Sequence, residues 1–72
     1  MTAASGQRWR GVSWNALPTG QRVRLSQHGL PIGSGFVDTA TPDGSIIWVV
    51  LDGWQERRMF LREDYVQVEI NG

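Results

Sequence analysis

The sequence of 72 residues contains no cysteine, no lysine and a single histidine. The absence of cysteine excludes disulfide bonds, thiolate chemistry and cysteine-based zinc sites. No apolar run approaches about 18 residues, so no membrane-spanning helix is predicted. No charged start precedes an apolar block, so no signal peptide is expected either. We therefore predict a cytoplasmic protein without a membrane partner.

Acidic residues are absent from the first half of the chain. Residues 1–35 hold four arginines and no acid, whereas residues 36–72 hold three arginines and seven acids, so the net charge is zero. All seven basic residues are arginine and none is lysine. This usage is typical of a GC-rich genome and indicates a bacterial or phage origin. Hydrophobic residues make up 40% of the chain, which is too many for a disordered tail and predicts one small folded domain.

Apolar and polar residues alternate over most of the chain, a pattern typical of half-buried strands. In the first predicted strand, which begins at Gln21, Val23 and Leu25 share one face and the neighbouring arginines the other. The remaining strands are predicted at Gly35–Thr41, Ser45–Asp52, Arg57–Leu61 and Val66–Ile70. Residues 27–34, which contain two glycines and a proline, are predicted to form a long loop.

Two short segments between these strands carry clear turn signals. Thr41-Pro42-Asp43-Gly44 predicts a tight hairpin, because proline presets the first central position and glycine accepts a left-handed conformation. Arg62–Tyr65 is too short for an α-helix and predicts one 3-10 turn before the last strand. Residues 1–17 are predicted to form a partly disordered N-terminal arm. Within it, Arg8–Leu17 matches neither period and predicts an irregular segment or a short edge strand.

The predicted order of strands and turns indicates an all-β fold. It resembles the five-stranded SH3-like barrel, with the barrel covering residues 18–72. The resemblance depends on Gly20–Leu25, Gly33–Val37 and the Arg62–Tyr65 turn. KOW and Tudor-like barrels share the Gly20–Val37 pattern, and such modules often bind RNA or proteins. A Tudor reader needs an aromatic cage, for which Trp54, Phe60 and Tyr65 are candidate rings.

The chain is also similar to the type II dihydrofolate reductases, which form an SH3-like barrel that assembles as a tetramer around a pore. The Gly20–Ser26 segment and the Thr41–Gly44 hairpin look alike. The pore-lining strand of that family carries a Val-Gln-Ile-Tyr-Pro motif, whereas the matching strand here, Arg57–Leu61, reads Arg-Arg-Met-Phe-Leu. The resemblance therefore implies the fold and oligomerisation, and not the reductase activity.

No constellation of catalytic or metal-ligating residues is evident. His28 lies in a Gly/Pro segment with no acid within nine residues on either side, so a loop role is expected rather than catalysis or metal binding. The Glu63-Asp64 pair is expected to cap backbone N–H groups. We predict a protein that is not an enzyme and has no cofactor and no metal.

Arginine and tryptophan residues suggest one candidate binding surface. Guanidinium groups beside flat rings suit phosphate contacts and base stacking. The candidate nucleic-acid contacts are Arg8, Trp9, Arg10, Trp14, Arg22 and Arg24. The alternative is that these arginines form cross-strand ion pairs with the acids of later strands.

The third predicted strand suggests a second candidate surface. Ile47, Val49 and Leu51 form one apolar face, and a strand that is apolar on its other face as well is typically buried on both. The candidate partner interface is Ile46, Trp48, Val50, Phe36 and Phe60. Either the N-terminal arm, with Trp9 and Trp14, covers this face, or a homo-oligomer or a foreign protein does.

These observations predict a non-catalytic binding module that takes part in protein interaction or self-association. The first alternative is an accessory protein that binds nucleic acid through the arginine and tryptophan residues. The second is an oligomeric pore protein like the type II dihydrofolate reductases. The arginine positions separate the first two functions, because paired arginines do not attract nucleic acid and clustered free ones do.

Overall fold

The computed structural model describes residues 8–71, except for the side chain of Ala16. Six strands account for most of these residues, and two 3-10 turns of three residues each complete the secondary structure. Between residues 8 and 71, neither turn is long and apolar enough to span a membrane. The strands are β1 (Trp9–Gly11), β2 (Arg22–Gln27), β3 (Leu30–Ala40), β4 (Ile46–Leu51), β5 (Arg58–Leu61) and β6 (Val66–Asn71); the 3-10 turns are Trp14–Ala16 and Arg62–Asp64.

The strands form one antiparallel sheet in the order β1–β6–β2–β3–β4–β5. The all-β class and the 3-10 turn before the last strand are confirmed. The sheet has six strands rather than five, because Trp9–Gly11 pairs with β6 and adds an edge strand. No ladder joins β1 to β5, so strand pairing does not close the sheet into a barrel.

The predicted loop over residues 27–34 is wrong. β2 and β3 form a hairpin whose turn consists of His28 and Gly29, both with positive φ, at 52° and 79°. Two-residue turns with positive φ match the twist of paired strands. The register shifts after Leu25, and this bulge places Pro31 in the strand without disrupting the rest of the ladder. Glycine and proline therefore mark a bulged strand here rather than a loop.

The Thr41–Gly44 hairpin between β3 and β4 is confirmed. The Gly44 N–H donates to the Thr41 carbonyl at 3.0 Å, and Gly44 has a φ of 72°. The Asp43 carboxylate accepts hydrogen bonds from the Thr41 hydroxyl at 2.8 Å and from the Ser45 hydroxyl at 2.7 Å. These bonds, followed by one from the Ser45 N–H, lower the pKa of Asp43 to about 2.

The lowered pKa of Asp43 predicts a pH dependence of stability. Since the folded pKa lies below the ordinary value of about 3.9, the carboxylate stabilises the fold above about pH 4 and loses this effect as the pH falls through 2. We expect Asp43→Asn to lower the free energy of unfolding at pH 6 and to match the wild type near pH 1.5. Urea unfolding at both pH values measures the difference. A loss of unfolding free energy that is equal at both pH values would contradict the prediction.

The inner face of the sheet buries one apolar core. Every strand from β2 to β6 contributes to it, together with two residues of the N-terminal segment. The core residues are Trp14, Leu17, Val23, Leu25, Val37, Ile47, Val49, Leu51, Phe60, Val66 and Val68. Residues 8–17 thus supply an edge strand and two core side chains. The expected disorder of the arm concerns residues 1–7, which lie outside the described residues.

Candidate functional site

The outer face of the sheet carries apolar residues that are not part of the core. Because side chains alternate along β4, Ile47, Val49 and Leu51 point inward while the residues between them point outward. Cross-strand pairing extends this outward row, since Val50 lies opposite Phe36 and Trp48 opposite Met59. We define the outer strip as Phe36, Ile46, Trp48, Val50 and Met59.

The outer strip differs from the predicted partner interface in one residue. Phe60 is only 6% exposed and belongs to the core, because it pairs with the inward-facing Ile47. Its neighbour Met59 takes the outward position and is 51% exposed. No local signal could have found Met59, because its face depends on the register of β5 against β4. Ile46, Trp48, Val50 and Phe36 lie on the outer face as predicted.

Two arginines lie against the aromatic rings of the outer strip. The Arg22 guanidinium is 4.9 Å from the centroid of the Phe36 ring, and that of Arg57 is 5.7 Å from the Trp48 ring. Contacts of this kind contribute about 0.5–1 kcal/mol at exposed sites. Each of the two rings therefore lies against a guanidinium group and is not an isolated apolar side chain on the surface.

Acidic residues of other strands and turns hold the same arginines in place. Arg22 donates two hydrogen bonds to the Asp52 carboxylate, at 2.7 and 2.5 Å. These bonds lower the pKa of Asp52 and raise that of Arg22. Arg57 pairs with Asp38 at 3.0 Å. Exposed pairs of this kind add little stability, but they neutralise both guanidinium groups beside the strip.

A third pair continues this pattern towards β1. Arg24 pairs with Glu69 of β6 at 2.9 Å, and its guanidinium lies 4.7 Å from the Trp9 ring. β6 thus separates Trp9 from β2, and Trp9 lies on the outer face beyond Arg24. The arm therefore does not cover Ile46 and Trp48 with its tryptophans.

The six candidate nucleic-acid contacts do not form one surface. Trp9, Arg22 and Arg24 share the outer face, and both of these arginines are paired with acids. Arg10 lies opposite Ile70 and so belongs to the other side of the sheet. Arg8 precedes β1 and is exposed. The placement of Trp14 on a binding surface is wrong, because this ring is 4% exposed and packs in the core.

The three rings proposed as an aromatic cage do not surround one open site. Phe60 is buried, Trp54 is 57% exposed in the turn after β4, and Tyr65 is 75% exposed after the second 3-10 turn. The Arg58 guanidinium lies 5.8 Å from the Trp54 ring and 5.5 Å from the Phe60 ring. A cation of the chain itself therefore lies against both of these rings. Tyr65 instead lies 6.2 Å from the His28 ring.

His28 and the Glu63-Asp64 pair, the other candidates for chemistry in the sequence, lie in turns. His28 occupies the β2–β3 turn and is exposed. Glu63 and Asp64 lie in the second 3-10 turn, whose preceding residue makes no side-chain capping bond. In the part of the chain from residue 8 to 71, no three His, Asp or Glu side chains come together as metal ligands.

One groove adjoins the outer strip. Ile46 lines it at the end of β4, and Leu61 and Arg62 contribute from β5 and the turn that follows. The groove encloses about 400 Å³ and is open to solvent. It extends the apolar surface of the strip towards the second 3-10 turn, where Arg62 and Glu63 line it with one charge of each sign.

Comparison of the chain with protein-family models, with curated proteins and with solved structures gives no match. Function must therefore be inferred from the geometry of the outer face.

Proposed function

We propose that this protein is a non-catalytic binding module of the SH3-like barrel type that binds a protein partner through the outer strip. The observation that carries the proposal is the pairing of apolar residues across three strands. Phe36 of β3, Val50 and Trp48 of β4 and Met59 of β5 lie next to one another on one face. Phe36 and Met59 are each about half exposed, at 48% and 51%.

The charges around the outer strip favour a protein over nucleic acid. Nucleic-acid binding depends on arginines and lysines that are free to neutralise phosphates. Here Arg22, Arg24 and Arg57 already pair with acids. Protein interfaces, in contrast, are enriched in aromatic residues, methionine and arginine, which is the composition of this face.

The order of the strands supports the SH3-like assignment. From β6 through β2, β3, β4 and β5, each strand pairs with its neighbour in an antiparallel sheet. One core lies on the inner face, shared by the strands from both ends of this order. A sheet that buries apolar residues on its own inner face curves around them, as the sheet of a small barrel does.

Selection of peptides tests the proposed function. Peptides are selected from a random library on the purified protein and then titrated against the isotope-labelled chain. We expect amide chemical-shift changes centred on β3, β4 and β5 at the outer strip. Because a negative charge on the strip opposes apolar contacts, Met59→Glu should weaken binding at least about tenfold.

The control for the peptide titration is Leu30→Glu. Leu30 is 70% exposed at the start of β3 and lies outside the strip, so the same change there should leave binding unaltered. Single-stranded and duplex oligonucleotides are titrated in parallel at two salt concentrations. Shift changes located away from the strip, or salt-sensitive oligonucleotide binding in place of peptide binding, would refute the proposed function.

A further inference from the structure

The outer face of β4 lacks a cover from the described part of the chain. Apolar residues on both faces of a strand are typical of strands that are covered on both sides. From residue 8 to 71, the core covers the inner face, while Ile46, Trp48 and Val50 remain half-buried on the other. Residues 1–7 contain one large apolar side chain, that of Met1.

We propose that a second copy of this chain covers the outer strip, in a two-fold symmetric dimer with Trp48 near its centre. This inference rests on the proposed function and names the partner. In a two-fold interface the same patch meets itself, so the surface must be compatible with its own chemistry. An apolar strip meets this condition, because apolar surfaces attract one another without regard to direction.

The charges around the strip are compatible with an identical partner. Arg22, Arg24 and Arg57 contribute three positive charges, and Asp52, Glu69 and Asp38 contribute three negative ones. A face with a net charge of one sign would repel its own copy. This face has no such excess, and the whole chain has a net charge of zero, a condition that promotes association.

A dimer interface would bury only part of the surface of this chain. A stable interface buries about 800 Å² of each partner, about a sixth of the 4837 Å² of accessible surface of this chain. Phe36 and Met59, which are 48% and 51% exposed, leave apolar surface on the strip for such an interface to bury. A small core leaves a domain of this size with little stability of its own, and burial of the strip would add to it.

Sedimentation velocity of the purified full-length chain, over a range of concentrations, tests the dimer. We expect the wild type to sediment at twice the chain mass at micromolar concentration. Trp48→Glu and Met59→Glu should each raise the dissociation constant at least about 30-fold, the effect of losing a central interface contact. Met59 is 51% exposed, so its variant should fold, and circular dichroism verifies this.

The control is again Leu30→Glu, which should remain a dimer. Because the chain has no cysteine, single cysteines add a test of position. Met59→Cys should form a disulfide-linked dimer under mild oxidation faster than Leu30→Cys, since Met59 lies beside Trp48. A wild type that is monomeric at high micromolar concentration would overturn the dimer, while the peptide titration would still decide the proposed function. If the dimer forms, peptide and second copy compete for the strip, so an excess of a selected peptide should convert the dimer to monomer. If both strip variants dimerise as the wild type does, the interface lies elsewhere and the proposed dimer is also refuted.

Discussion

Replacing Trp14 by alanine is expected to remove most of the stability of this protein. The ring is 4% exposed and belongs to the single core. Substitutions of buried Phe or Trp by Ala cost about 3–5 kcal/mol, and a core of this size provides only about 3–5 kcal/mol in total. We therefore expect Trp14→Ala to be largely unfolded at 25 °C. Urea denaturation followed by circular dichroism measures the loss, and Trp14→Phe should retain much of the stability.

The matched control for Trp14→Ala is Trp54→Ala. Trp54 is 57% exposed and its described partner is the Arg58 guanidinium, so its removal should cost no more than about 1 kcal/mol. In the sequence, Trp14 was one of the candidate surface residues that stack on bases. If that placement were right, both variants would be equally stable, and Trp14→Ala would have lost nothing but an exposed ring. The difference between the two free energies of unfolding decides where Trp14 lies.

The second large effect is expected at Gly35, where β3 lies close against its antiparallel neighbour β4. A Cβ atom built on Gly35 would overlap the carbonyl oxygen of Val50 and lie 2.8 Å from the Cα atom of Leu51. Both contacts are with backbone, so no side-chain rotation relieves them, and the two strands would have to separate. Overpacking costs about 1–3 kcal/mol and more where backbone must move. We expect Gly35→Ala to lower the free energy of unfolding by about 3 kcal/mol.

A loss of this size should lower Tm by at least about 12 °C in a domain of this length. Gly11→Ala is the control, since no atom lies within 4 Å of a Cβ at Gly11 and its φ is not positive. That variant should be unchanged or slightly stabilised, because alanine restricts the unfolded chain. Thermal unfolding of the two variants side by side measures the contrast. Equal Tm values would show that β3 and β4 tolerate a wider separation than the structure has.

Local patterns were sufficient to predict the regular parts of the fold. The alternation at Val23 and Leu25 placed both in the core, where they are fully buried. The Thr41–Gly44 hairpin was predictable because its turn depends on four neighbouring residues. The two apolar faces of β4 were likewise predictable, since side chains alternate along any strand. Each of these features depends on residues close together in the chain.

Features that depend on register were not predictable in the same way. Phe60 and Met59 are adjacent in sequence, and a shift of one residue in the pairing of β4 with β5 exchanges their faces. The β2–β3 turn was obscured because glycine and proline in residues 29–33 occur in a bulged strand as readily as in a loop. The position of Trp14 depends on how the N-terminal segment crosses the core, which no local pattern specifies.

The sequence by itself determined an all-β domain without cysteine chemistry, with an apolar central strand and with arginines and acids in opposite halves. Only the tertiary structure decided which arginines of the first half lie next to which acids of the second half. Sheet pairing places β2 between β6 and β3, and this order brings Glu69 to Arg24, while Asp52 reaches Arg22 from the turn after β4. Opposite charges are thus paired locally on the outer face, because strand order, and not distance along the chain, determines which charged residues are neighbours. Because the charges around the outer strip are paired, the apolar residues of the strip, with Trp48 among them, are the surface on which the proposed interaction depends.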